Sequence, residues 1–219
     1  MSSARQWNLD PDLTKGRAAL LLFDVLQAYL HPEDPVKADL LQARGIVEHL
    51  RGLLDGARAA GLRVFYAAAN HSPDGSDVAH RLTDADYDLT PWSPQRPQTF
   101  KMPVHRGSGG AQIADELAPR DGEDVVIHKH RWSAFYQTSL ELALRARGLD
   151  TIILAGLSTD VGVASTAYAA RDLDFGIVFA RDACFSQSGG PSNHEFFMER
   201  VFPRMGRVMT TARVVALMG

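Results

Sequence analysis

Three positions have residue types and settings that could do chemistry. Asp24 directly follows the apolar run Ala18–Phe23 (AALLLF) and precedes Val25 and Leu26. A carboxylate emerging from a buried segment is partly desolvated, which favours its neutral form and suits a general acid or base. A helix cap or a structural ion pair would suit it equally. Lys129 ends the run DVVIHK and could pair with Asp24 or meet a substrate anion, or it is a solvated lysine in a basic turn beside His128, His130 and Arg131. The segment GLSTDVGVASTAYAA, residues 156–170, reads as a strand-to-helix turn whose free N–H groups form an anion or oxyanion site. Thr159 and Asp160 are cap candidates there, and Gly162 admits either a substrate or close helix–sheet packing. The glycine spacing fits neither a phosphate loop nor a dinucleotide fingerprint.

The chain has one cysteine, Cys184, and eight histidines in 219 residues. A single cysteine excludes an intramolecular disulfide and any multi-cysteine zinc module, and raises the question of a nucleophile. The histidines show no HxH or HExxH pattern. His71 and His80 flank Asp74 and Asp77, while His49 and His194 read as surface or structural groups. Formal net charge is −3 and the isoelectric point about 6.2, without a basic–aromatic stripe, so neither nucleic acid nor membrane is an expected partner. No apolar run approaches the ~20 residues of a membrane span. The N-terminus, MSSARQWNLDPDLTKG, lacks a signal-type apolar core, so a cytoplasmic protein is expected.

These positions require a scaffold, and the hydrophobic pattern supplies one. Strands are predicted at 18–23, 63–69, 124–128, 151–157, 176–180 and 207–210. Helices are predicted over 36–60, 139–147, 160–172 and around 192–202. Strands without polar alternation, each followed by a helix, imply a parallel sheet covered on both faces. We therefore expect one domain over residues 1–219 with a three-layer α/β fold, its site at the carboxyl ends of the strands. Residues 1–16 read as an extension. Residues 70–110, rich in Pro, Gly, Ser and Asp, read as a lid or specificity loop, with Trp92, Phe100 and His105 as lining candidates.

The segments LLLFDVLQAYL, KHRWSAFYQTSLELALRARGLDTIILAG, LSTDVGVASTAYAARDLDFGIVFARDACFS and FPRMGRVMTTARV, in this order, resemble the isochorismatase-like (cysteine hydrolase) superfamily over about Ala18–Thr211. The resemblance implies a doubly wound, Rossmann-like, six-stranded sheet, mostly parallel, and a homo-oligomer, dimer or tetramer. It also implies hydrolysis of a small molecule, often an amide such as nicotinamide, N-carbamoylsarcosine or ureidoacrylate. The family's aspartate and lysine fall on Asp24 and Lys129, and its cis peptide on Leu157–Ser158. The implied substrate-binding set is Leu157, Ser158, Thr159, Val161, His71, Trp92 and Trp132.

The third family position departs. Where cysteine hydrolases read T-D-x-C-V, this chain reads Thr159-Asp160-Val161-Gly162-Val163. Cys184, in ARDACFS, lies elsewhere and is expected to pack behind the sheet. Isochorismatases proper also carry glycine there and cleave a vinyl ether, but read Y-A-H-I-G at the turn. Nicotinamidases place D-x-H after the second strand, where this chain has Ala69-Asn70-His71, so no catalytic metal and no cofactor are expected. The leading expectation is a hydrolase without a thiol, with Asp24, Lys129 and Gly162 as catalytic positions and with Gly162 leaving room for water or a substrate group. An amidohydrolase using water, Ser158 or Thr159, and a non-catalytic ligand-binding relative, are the alternatives.

Overall fold

Strand β1 (Ala18–Phe23) is buried at every residue and lies at the centre of the sheet. A computed structural model describes residues 10–78, 104–187 and 190–218. The other strands are β2 (Arg63–Ala69), β3 (Val125–Lys129), β4 (Thr151–Leu157), β5 (Gly176–Phe185) and β6 (Arg207–Met209). Their order is β3-β2-β1-β4-β5-β6, and every neighbouring pair is parallel. The chain therefore winds outward in both directions from β1, and the order reverses between β1 and β4. Right-handed crossovers put the helices of the two halves on opposite faces, and ligands in such sheets bind beyond the carboxyl ends at the reversal point.

The helices are α1 (Gln27–Leu30), α2 (Pro35–Ala43), α3 (Ile46–Ala59), α4 (Leu140–Arg145), α5 (Ala164–Asp172), α6 (Gly190–Phe196) and α7 (Thr211–Leu217). Helix α3 buries Ile46, Leu50, Leu53, Leu54 and Ala57, the one-sided stripe of a 3.6-residue period. The helix expected over 36–60 is two helices, because Gly45 takes a left-handed φ of 58° between them. Asp34 starts the first of these, its carboxylate accepting from the Val36 N–H at 2.9 Å with Pro35 at the first helical position.

Two further boundaries moved. The fifth strand runs on to Phe185 rather than stopping at Ala180, with a register shift against β4 between Leu154 and Gly156. The expected helix 160–172 opens as a wide π-helical turn, Thr159–Val163, before α5. Among the described residues no helix is long and apolar enough to cross a membrane. An open cavity of about 560 Å³ lies at the opposite, amino-terminal edge of the sheet, lined by Arg17, Thr151, Gly176, Gly206 and Arg207 among others, away from Asp24.

Candidate active site

Asp24 leaves the end of β1 with φ of 47°, a left-handed conformation that costs a non-glycine residue roughly 1–2 kcal/mol. Its N–H is tied to the Ala67 carbonyl at 2.8 Å, and the side chain is almost entirely buried. Oδ1 accepts from the Ala69 N–H at 2.9 Å, and Oδ2 accepts from Lys129 Nζ at 2.8 Å. Lys129 reaches it from the end of β3, across β2, and is equally buried. Burial pushes the Asp24 carboxyl above its usual range, and the Lys129 ammonium and the Ala69 N–H pull the other way. A buried ion pair contributes little net stability, so its presence on a strained backbone at the sheet's reversal point makes it the candidate functional centre.

The space beside position 162 is not vacant. Phe23 fills it: a Cβ at Gly162 would lie 2.1 Å from Phe23 Cε1 and 2.3 Å from Cζ. The expected room for water or a substrate group at Gly162 is therefore taken by an aromatic ring. The same ring carries Lys129 Nζ 4.3 Å from its centroid, within cation–π range. Gly156 lets β4 approach so closely that a Cβ there would lie 2.0 Å from the Phe23 carbonyl oxygen.

The turn after β4 is internally tied. The Leu157–Ser158 peptide is cis. Leu157 is buried. Ser158 Oγ donates to Asp160 Oδ1 at 2.9 Å and accepts from the Gln187 N–H at 2.9 Å. Asp160 also accepts from Ser186 Oγ at 2.6 Å and Asn193 Nδ2 at 2.8 Å. Thr159 Oγ1 lies 2.9 Å from His194 Nδ1, both groups buried. Burial pushes the His194 imidazole down to about 4. The N–H groups of Val161 and Val163 both donate to the Ser158 carbonyl, at 3.3 and 3.1 Å. Two of the amides expected to face substrate are thus spent within the turn.

His71, just past β2, is half-buried, its Nδ1 3.5 Å from Asp77 Oδ1 and without hydrogen-bond geometry. Burial holds its imidazole below the usual value, offset in part by Asp77 and reinforced by Lys129. Asp77 is also 3.5 Å from His130 Nε2 and accepts from the Ser72 N–H, so a small knot of His71, Asp77 and His130 closes over the β2–β3 edge. Both described ends of the 70–110 segment anchor here, the Arg106 N–H donating to the His71 carbonyl at 2.8 Å. His105 is half-buried, its Nδ1 3.2 Å from the Arg106 carbonyl. Trp92, Phe100 and His80 lie outside the described residues. Trp132 is 58% exposed and Phe135 packs on Phe175, ring centroids 5.6 Å apart, so neither closes on Asp24.

Cys184 sits inside β5, not after it, opposite Gly156, which itself pairs with Phe23. Two strand spacings, roughly 10 Å, separate its Cα from that of Phe23. It is buried, and burial pushes its thiol up to about 12. Among the described residues no cluster of three or more metal-ligating side chains forms.

Asp24, Lys129, Gly162 and the Ser158–Val161 turn thus converge on the β1/β4 reversal. Phe23 and the Ala69 N–H join them without having been singled out from sequence; Asp77, noted there only as flanked by His71 and His80, and His194, read there as surface or structural and in fact buried, join them too. Phe23 adjoins Asp24, and strict strand alternation would have sent the two to opposite faces; the left-handed φ at Asp24 removes that rule.

A doubly wound parallel sheet with a buried aspartate–lysine pair at its reversal point is a three-layer α/β scaffold with its candidate site at the strand ends. The isochorismatase domain family matches residues 18–213, and the chain belongs to it. The isochorismatase family protein YecD of Escherichia coli O157:H7 is 31% identical over 204 residues, spanning 93% of this chain and 97% of that one. The ureidoacrylate amidohydrolase RutB of Rhizobium rhizogenes is 29% identical, spanning 78% and 71%. The crystal structure of N-carbamoylsarcosine amidase from Thermoplasma acidophilum superposes with a TM-score of 0.66 at 26% identity, covering 89% and 96%. An isochorismatase family protein from Burkholderia thailandensis reaches 0.73 at 26%, covering 94% and 98%. The chain is a hydrolase of this family.

Proposed function

We propose that this hydrolase works without a cysteine nucleophile, with Asp24 as general acid and base, Lys129 as its electrostatic partner and Gly162 shaping the site. The observation that carries this reading is the buried Asp24–Lys129 contact of 2.8 Å beside a position 162 that has no side chain. Burial favours a protonated Asp24, as a general acid requires. Cys184 is set aside because a buried thiol held near 12 supplies almost no thiolate at neutral pH.

The reaction is vinyl-ether or a related C–O or C–N hydrolysis of a small anionic substrate. In the vinyl-ether case the Asp24 carboxyl gives its proton to the alkene carbon, whose π pair forms the new C–H bond. Water adds to the resulting oxocarbenium carbon and returns a proton to the Asp24 carboxylate. The hemiketal then collapses to a ketone and an alcohol, so the net change is ether plus water. Lys129 holds the carboxylate when it forms. The basic run Lys129–His130–Arg131 at the strand end fits an anionic substrate, and His71, Leu157, Ser158, Thr159 and Val161 are its remaining proposed contacts. Trp92 and Trp132 were the aromatic candidates from sequence, and the exposure of Trp132 counts against it.

The amidohydrolase relatives favour a second reading, attack of activated water on an amide. Ser158 is a poor nucleophile here because its hydroxyl is tied to Asp160 and to the Gln187 N–H, and Thr159 because it is fully buried against His194, whose imidazole, held near 4, is a weak base. A single 1–219 domain acting as a cytoplasmic homo-oligomer, with residues 70–110 as the specificity segment, completes the proposal.

Against a substrate found by screening vinyl ethers and amides, Asp24→Asn should lower kcat by about 10²–10⁴-fold, and mass spectrometry of trapped turnover should find no covalent adduct. Unchanged turnover, or an adduct on Cys184, Ser158 or Thr159, would overturn the reading. Tight ligand binding with no turnover across the screen would instead mark a binding protein.

A further inference from the structure

The Phe23 ring and position 162 compete for one volume. With Gly162 the ring fits. With any side chain there, a Cβ would lie 2.1 Å from Cε1, well inside contact distance. Escape by rotation is costly, because Phe23 is 1% exposed and its ring lies under the Lys129 ammonium at 4.3 Å. Escape by backbone shift is blocked too: β1 pairs with β2 and β4 on its two sides, and Gly156 already brings β4 to the limit of approach at Phe23.

We propose that Phe23 is the positioning residue that closes position 162 to a side chain: its ring takes the place a side chain at 162 would need and seats Lys129 against Asp24. The absence of a thiol at 162 is then one half of a matched pair whose other half is the aromatic residue preceding Asp24. The ring stands between Gly162 and the Lys129 ammonium. Phe23 acts through Lys129 and through position 162 and is a positioning residue. The inference deepens the thiol-free reading, but its test uses no substrate, so the two stand or fall separately.

The experiment compares the wild type, Gly162→Cys, Phe23→Val and the double variant. Melting temperature and alkylation of the new thiol by iodoacetamide are followed, with buried Cys184 as the internal unreactive control. Overpacking predicts that Gly162→Cys lowers the melting temperature by roughly 5–10 °C when Phe23 is retained. In the Phe23→Val background the same substitution should cost nothing or raise the melting temperature, since the new side chain occupies the cavity left by the ring. Residue 162 of the double variant should also alkylate at least about tenfold faster than in Gly162→Cys alone, because the thiol takes the ring's place near the Lys129 ammonium. Additive melting shifts, or equal alkylation rates in the two variants, would each overturn the proposal.

Discussion

Replacing Lys129 by methionine keeps the apolar stem and removes the charge. The two partners are nearly buried, with 6% and 10% of their side chains exposed, so solvent compensates little. Removing one partner of such a pair costs about 3–5 kcal/mol. At roughly 2–4 °C per kcal/mol for a chain of this size, the melting temperature at pH 8 should fall by about 10 °C. The loss should depend on pH in a definite direction. The Asp24 carboxyl is held up by burial and pulled down by Lys129; deleting the ammonium lets it rise further, while its unfolded value stays in the usual carboxylate range. The folded state then binds the proton more tightly than the unfolded one. Stability therefore drops as pH rises from the usual carboxylate range through the raised folded value. Melting curves of Lys129→Met and wild type at pH 5, 6, 7 and 8 should show the deficit widening with pH. The companion Asp24→Leu/Lys129→Met should recover most of the loss while remaining inactive, since a well-packed apolar pair replaces a buried ion pair at little cost. A Lys129→Met protein as stable as wild type at pH 8, or a deficit that does not change with pH, would refute the reasoning.

His194 is buried with its imidazole near 4 against an ordinary value of 6.5, and Glu195, Arg44, Arg181 and Asp160 surround it. Its neutral form supports the fold above pH 6.5, and that support, about 2 kcal/mol, should be lost as pH falls toward 4; thermal melts should show His194→Gln losing less than wild type over this interval. Cys184→Ala should keep full turnover with a melting shift of only a few degrees, and native protein should resist iodoacetamide; loss of turnover would return the thiol to the mechanism. Gly156→Ala should fail to accumulate as soluble protein or melt more than about 10 °C lower, because a methyl would stand 2.0 Å from the Phe23 carbonyl at a φ of 124°; near-normal melting would contradict the close β1–β4 approach.

The sheet was legible because a parallel strand covered on both faces must be apolar throughout, as AALLLF and TIILAGL are. Its boundaries were less so. Gly45 breaks the 36–60 pattern through a left-handed φ that periodicity does not register, and β5 continues through Arg181 and Asp182 because both find partners, Glu195 and Glu199 for one and the Thr211 N–H for the other. Asp24 and Lys129 were legible as candidates by the strand-end rule alone, while their contact depends on β2 lying between β1 and β3, which is topology rather than sequence.

Position 162 shows where reading along the chain stops. A glycine at a turn has two meanings, room for a ligand or room for a neighbour, and the residue itself carries no sign of which. The decision lies in Phe23, far away in sequence, and is made by β1 and β4 being adjacent and by the Asp24 backbone turning left-handed after the ring. The ring at 23 and the bare position at 162 therefore form one packing arrangement. With the ring in place, a side chain at 162 needs a compensating change at Phe23, so the proposed thiol-free site would be held by packing as well as by chemistry.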